Sequence, residues 1–166
     1  MKYIKVGKIV NTHGVKGEVR IISNFKFKNK VFKKGMNVYI GKDKTKEKIN
    51  SYRPHKQFDM ITMDGYYNIN DILKYKGLNV YVDEKDLKLN DGEYLDEDLI
   101  GLKVMIHSEI KGIIKDIEDY KTYKLIVVNK DENCYLIPYV SDIIENIDFK
   151  EGIMVIKEEL KGLFDK

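Results

Sequence analysis

Between Lys5 and Ile22 two short alternating apolar runs, KVGKIV and EVRII, flank the connection Gly14-Val15-Lys16-Gly17. Period-two alternation with β-branched residues on both sides predicts two antiparallel strands joined by a tight turn. Glycine at both ends of the connection tolerates positive φ and allows close backbone approach. The residues themselves read as a hairpin. Lys16, held between the glycines, is also positioned to approach a phosphate, and both readings stay open.

The rest of the chain continues this pattern. Further strands are expected near residues 36–41, 47–54, 58–63 and 78–82, with the first two spanning 3–12 and 17–23 and Gly35, Gly41 and Gly65 as punctuation. Such spacing favours a small closed β-barrel over alternating strands and helices. Asn70 is the expected cap of a short helix running to Tyr75, with Gly77 at its C-terminal end. The segment Phe25–Lys34, FKFKNKVFKK, alternates aromatic residues with lysine, as in a strand or loop whose lysines guard a sheet edge or meet a polyanion.

DEKDLKLNDG, Asp83 to Gly92, is polar and turn-rich, so a boundary falls there: a domain over 1–85, a linker over 86–92 and a domain over 93–166. Five alternating runs follow, at Leu102–Ile106, Gly112–Ile117, Lys124–Val128, Cys134–Ile137 and Ile153–Ile156. They leave no room for crossover helices and predict an antiparallel barrel, with a helical turn over Val140–Glu145. The expected fold class is all-β, two small β-barrel domains with short helices.

The net charge of +3 conceals a polarity. Through residue 90 the chain carries 20 Lys+Arg against 9 Asp+Glu, a net +11; after it, 10 against 18, a net −8. The basic half suits polyanions and the acidic half a basic partner. Arg20 and Arg53 are the chain's only arginines, so polyanion contact is expected to be electrostatic, carried by lysine, with little base readout.

Cys134 is the single cysteine, which excludes an internal disulfide and a multi-cysteine zinc site. Its apolar surroundings predict a small buried side chain. No apolar run is long enough for a membrane span and no signal-peptide pattern opens the chain, so a cytoplasmic protein is expected. Gly41-Lys42 lacks the following Ser or Thr of a phosphate loop. His13, His55 and His107 have no metal-ligand spacing, so no metal or cofactor is expected. Ser141, Cys134 and the carboxylates Asp96, Glu97 and Asp98 form no coherent catalytic set. The G-x-x-G of KH domains joins two helices, and the strand periodicity on both flanks here excludes that module.

Gly7, His13-Gly14-Val15-Lys16-Gly17-Glu18 and Arg20 together resemble the opening signature of the ribosome maturation factor RimM family. Glu93 to Val104, EYLDEDLIGLKV, is similar to the start of that family's C-terminal domain, and Leu136-Ile137-Pro138-Tyr139-Val140 with Ile144 and Ile147-Asp148 to its later strands. The resemblance covers nearly the whole chain in the expected order. It implies a second domain like the PRC barrel and a non-enzymatic chaperone of ribosome biogenesis. Such a factor binds small-subunit ribosomal protein nineteen and assists the subunit head and 16S rRNA processing; a monomer is the default expectation for this chain.

Partner contact is then expected at Tyr94, Asp96, Asp98, Leu99, Pro138 and Tyr139, although Leu99 and Ile100 also fit ordinary packing. Family members commonly carry two adjacent aromatics where this chain has Tyr94 and Leu95. RNA contact is expected at Lys8, Lys16, Arg20, Lys26, Lys28, Lys30, Lys33 and Lys34. The alternative is a general single-strand nucleic-acid-binding barrel that stacks bases on Phe25, Phe27 or Tyr39.

Overall fold

The computed structural model describes residues 1–120 and 122–165. They divide into two compact units, Met1–Asp91 and the chain from Gly92 onward.

The first unit is a closed six-stranded barrel. Its strands are β1 (Tyr3–His13), β2 (Glu18–Ile22), β3 (Asn37–Ile40), β4 (Thr45–His55), β5 (Phe58–Met63) and β6 (Asn79–Asp83), in the order β1-β2-β5-β4-β3-β6. Closure depends on the two eleven-residue strands, each shared between two neighbours. β1 pairs with β6 through Tyr3–Lys8 and with β2 through Lys8–His13, with register shifts between Lys5 and Gly7 and between Ile9 and Asn11. Such bulges bend a strand enough to turn a barrel corner. At Gly7 a Cβ would lie 2.7 Å from Ile21 Cγ2, so only glycine lets β1 lie this close to β2. Val6, Ile9, Val19, Ile21, Ile61 and Val80 fill the interior.

Two local expectations are corrected. Phe25–Lys34 is no strand: it is a loop that contains the single-turn helix α1 (Lys28–Val31), and Phe27, Val31 and Phe32 are buried. The apolar residues recur at four- and five-residue spacing, which suits one face of a turn better than a pleat. The second short helix, α2 (Ile69–Ile72), is capped by Asn68, whose side chain accepts from the Asn70 backbone N–H at 2.9 Å. A 3₁₀ turn at Leu73–Tyr75 follows, and Gly77 comes after it at φ +85°.

The α1 segment packs against β4 and β5. Phe32 stacks on Tyr52 at 6.1 Å, the Tyr52 hydroxyl donates to Asp59 Oδ1 at 2.7 Å, and Lys28 Nζ lies 2.8 Å from Asp59 Oδ2. The last contact is an ion pair without hydrogen-bond geometry. Desolvation and the Asp59 carboxylate push the Tyr52 phenol up to about 12. Because Asp59 is buried, Lys28→Met would leave its carboxylate uncompensated. We expect a loss of about 2 kcal/mol, discounted for the half-exposed lysine, measurable by urea denaturation of the full chain. No change in midpoint would show that Lys28 is dispensable for the barrel.

The second unit has six strands: β7 (Lys103–Ile106), β8 (Glu109–Asp119), β9 (Lys124–Lys130), β10 (Asn133–Pro138), β11 (Ile144–Asp148) and β12 (Ile153–Ile156). They form one sheet in the order β10-β9-β8-β7-β12-β11. Residues of both edge strands pack on the same core: Tyr135 and Ile137 from β10, and Ile144 and Ile147 from β11. The sheet therefore curls around a single interior, as in a barrel.

The all-antiparallel expectation fails at one pair, since β12 runs parallel to β7, with Ile153 opposite Lys103. A parallel neighbour needs a long return path, and strands β8 to β11 supply it without a helix. The expected helical turn is shorter than Val140–Glu145: a 3₁₀ turn covers Ser141–Ile143, and β11 is a sixth strand where five were expected. Cys134 is exposed, contrary to expectation. Tyr135 and Ile137 take the inward positions of β10, and strict alternation turns Cys134 outward with Leu136 and Pro138.

Candidate functional site

Most of the lysines singled out in the first unit gather around α1, where Lys30 and Lys33 line one cavity with Lys88. Lys8 is exposed on β1, Lys16 is exposed at the β1–β2 turn, and Lys26, Lys33 and Lys34 are exposed around α1. Lys28 is committed to Asp59, and Lys30 Nζ donates to the Lys88 carbonyl at 2.8 Å.

Arg20 behaves differently. The register Asn11↔Arg20↔Met60↔Arg53 sets both arginines on one row of the outer face, and His13↔Glu18 and His55↔Phe58 extend that face toward the hairpin ends. Arg20 Nη2 donates to His13 Nδ1 at 2.7 Å, and its guanidinium carbon sits 5.3 Å from the Phe58 ring centre. The His13 and His55 rings are 5.6 Å apart. Arg53 grips Glu18 with two hydrogen bonds, 2.9 and 2.7 Å, and these hold the Glu18 carboxyl below the usual carboxylate range. Desolvation, then Arg53, Lys56, His13 and Arg20, hold His55 below the usual imidazole range. Arg53, His13 and His55 were not among the expected contacts, because only strand pairing brings residues 13, 20, 53 and 55 together. The visible signal was that the chain has just two arginines.

On the second unit Tyr94, Asp96 and Tyr139 do meet. Asp96 Oδ2 accepts from Lys124 Nζ at 2.6 Å, and the Tyr139 backbone N–H donates to the Lys124 carbonyl at 3.0 Å. Burial, then Asp96 and Tyr94, push the Tyr139 phenol well above its usual range, so it stays a protonated donor at any physiological pH. Tyr94 packs against Phe149 at 5.5 Å. Pro138 is exposed at the end of β10. Around these residues Ile100, Leu136, Val140 and Phe149 are all large, apolar and about half exposed.

Two expected contacts need correction. Leu99 is fully buried in the core and offers no surface to a partner, whereas Ile100, equally readable as packing, is exposed. The 3₁₀ turn Asp96–Leu99 decides this: one side chain per turn faces inward and its neighbour faces out. Asp98 is exposed, but its Oδ2 accepts from the Leu95 backbone N–H at 2.8 Å, so it caps the turn. Leu95, in place of a second aromatic, is buried.

Two small β units, one basic and one acidic with an apolar, tyrosine-bearing surface, define a protein built to bind macromolecules. The sequence itself is similar to known families over almost its full length: the RimM N-terminal domain matches residues 4–87 and the RimM PRC barrel domain residues 96–159. The Exiguobacterium sp. ribosome maturation factor RimM is 37% identical over 99% of this chain and 98% of its own length. The Bacillus cereus (strain G9842) protein of that name is 36% identical over 93% and 95%. A solved Pseudomonas aeruginosa protein, titled a putative 16S ribosomal RNA processing protein RimM, aligns over 94% of this chain and 97% of its own, at 20% identity and TM-score 0.44. The chain belongs to the RimM family.

Proposed function

We propose that this protein is a non-enzymatic assembly factor of the small ribosomal subunit, acting as a monomer. Its second domain binds small-subunit ribosomal protein nineteen, and its first lies on rRNA of the subunit head, assisting 16S rRNA processing. The observation that carries this is the charge of the two compact units: 20 Lys+Arg against 10 Asp+Glu up to Asp91, and 10 against 17 from Gly92 onward. A basic barrel meets phosphates while an acidic one meets a lysine- and arginine-rich ribosomal protein. No bond is broken by the chain; it favours one rRNA conformation by binding it better than others. The single-strand-binding alternative loses support, because Phe27 and Tyr39 are buried and Phe25 packs edge-on against Phe27.

Within the acidic unit the contact surface is Tyr94, Asp96, Pro138 and Tyr139, flanked by exposed Ile100 and Val140. A tyrosine with an apolar body and a polar tip is a typical interface anchor. Tyr94→Ala is expected to weaken binding to isolated small-subunit protein nineteen by about tenfold or more, while calorimetry still shows a cooperative melt at a somewhat lower temperature, because the ring is partly buried against the core and Phe149. Equal affinities would remove Tyr94 from the interface. Across a density gradient of cell lysate, the protein should co-migrate with free small subunits and be absent from joined ribosomes. A wholly soluble distribution would refute the assembly role.

A further inference from the structure

The outer face of β1, β2, β4 and β5 joins both arginines of the chain to two of its three histidines. Around the two histidines of that face stand the permanent cations Arg20, Arg53 and Lys56 and the carboxylate of Glu18. Glu18 is spent on Arg53. Arg20 therefore faces no carboxylate among the described residues, its Nη2 rests on an imidazole, and its Nε is buried without a hydrogen-bond partner. An arginine in this condition has donors to give and no anion to take them.

We propose that Arg20, His13 and His55 form the RNA-phosphate site of the first unit, and that occupying it takes up protons. This rests on the reading of the first unit as the rRNA-contacting one, and gives that contact a defined locus away from the α1 lysines. The proton coupling follows from the geometry. An arginine can only donate, so the 2.7 Å contact requires His13 Nδ1 to be an unprotonated acceptor. Protonating His13 breaks that contact, releases Arg20 Nη2 toward a phosphate and adds a second cation beside it. Desolvation, then the charges of β4, the β4–β5 turn, β1 and β2, namely Arg53, Lys56, His13 and Arg20, hold His55 below the usual imidazole range, while the Glu18 carboxylate faces both rings. A bound phosphate screens those charges and raises the pKa of His55. Both effects have the same sign: affinity increases as pH falls, and binding at fixed pH absorbs protons. The Arg20 guanidinium lies over the Phe58 ring, 5.3 Å from its centre, which limits its freedom to move.

The test uses the full chain and a fluorescently labelled RNA stem-loop at constant ionic strength. The wild type should bind about tenfold tighter at about pH 6 than at about pH 8. His13→Gln combined with His55→Gln should flatten that profile. Arg20→Gln should weaken binding about tenfold at both pH values, and Arg20→Lys, which keeps the charge without the fork, should recover part of the loss. Thermal melts establish that each variant is folded, and the histidine pair and Arg20→Lys decide the matter should Arg20→Gln fail to fold. If RNA binds but the pH slope survives the histidine pair, or both Arg20 variants bind as the wild type does, the site is overturned while rRNA contact by the first unit stands. If the wild type binds no RNA at either pH, both fall.

Discussion

Gly112→Val is expected to unfold the second unit and leave the first folded, so that a thermal melt of the full chain loses one transition. Gly112 sits in β8 beside the register shift opposite Val104 and Met105, at φ +153°. A Cβ there would lie 2.6 Å from the Asn129 carbonyl oxygen and 2.7 Å from Val128 Cγ1. The first neighbour is backbone of the paired strand β9 and cannot move without breaking the ladder. Backbone strain at about 1–3 kcal/mol for a conformation essentially confined to glycine adds to overpacking at about 1–3 kcal/mol, a large part of what holds a domain of this size. Partner binding should vanish with the fold. A valine variant melting within a few degrees of wild type would show that β8 and β9 can separate at no great cost.

Leu99→Ala is expected to cost about 2–5 kcal/mol, read as a shifted denaturation midpoint of the second unit with an unchanged slope. The side chain is 0% exposed and belongs to the cluster with Val104, Ile126 and Ile137. Truncation removes buried methyl groups and leaves a cavity in a core closed by an entire sheet. At temperatures where the variant remains folded, its affinity for the ribosomal protein should match wild type. Tyr94→Ala should show the reverse weighting, a smaller loss of stability and a large loss of affinity. The crossed pair separates residues that hold the surface in place from residues that form it, a distinction that EYLDEDLIG as a string does not make.

Strand positions in the first unit were legible because a half-buried strand must alternate. Phe58–Met63 falls where the alternation places it, and the Gly14–Gly17 turn joins strands in the register His13↔Glu18. Where alternation conflicts with another period, the sequence misleads. In FKFKNKVFKK the lysines disguise a helical turn flanked by buried aromatics, and the residues that look most free to meet RNA include Lys28, which is tied to Asp59. Tyr94, Asp96 and Tyr139 were expected on one surface through family resemblance, and the fold brings them together around Lys124.

By itself the sequence determined the β character, the two-part organisation and the opposite charges of the halves, because these depend on local periodicity and on composition. Tertiary structure alone decided the parallel β7–β12 pair, the exposure of Cys134 and the burial of Leu99, since each depends on which strand lies beside which. It also decided that Arg20, Arg53, His13 and His55 share a face. These residues stand up to 42 positions apart in the chain, and only the hydrogen-bonded register of four strands makes them neighbours.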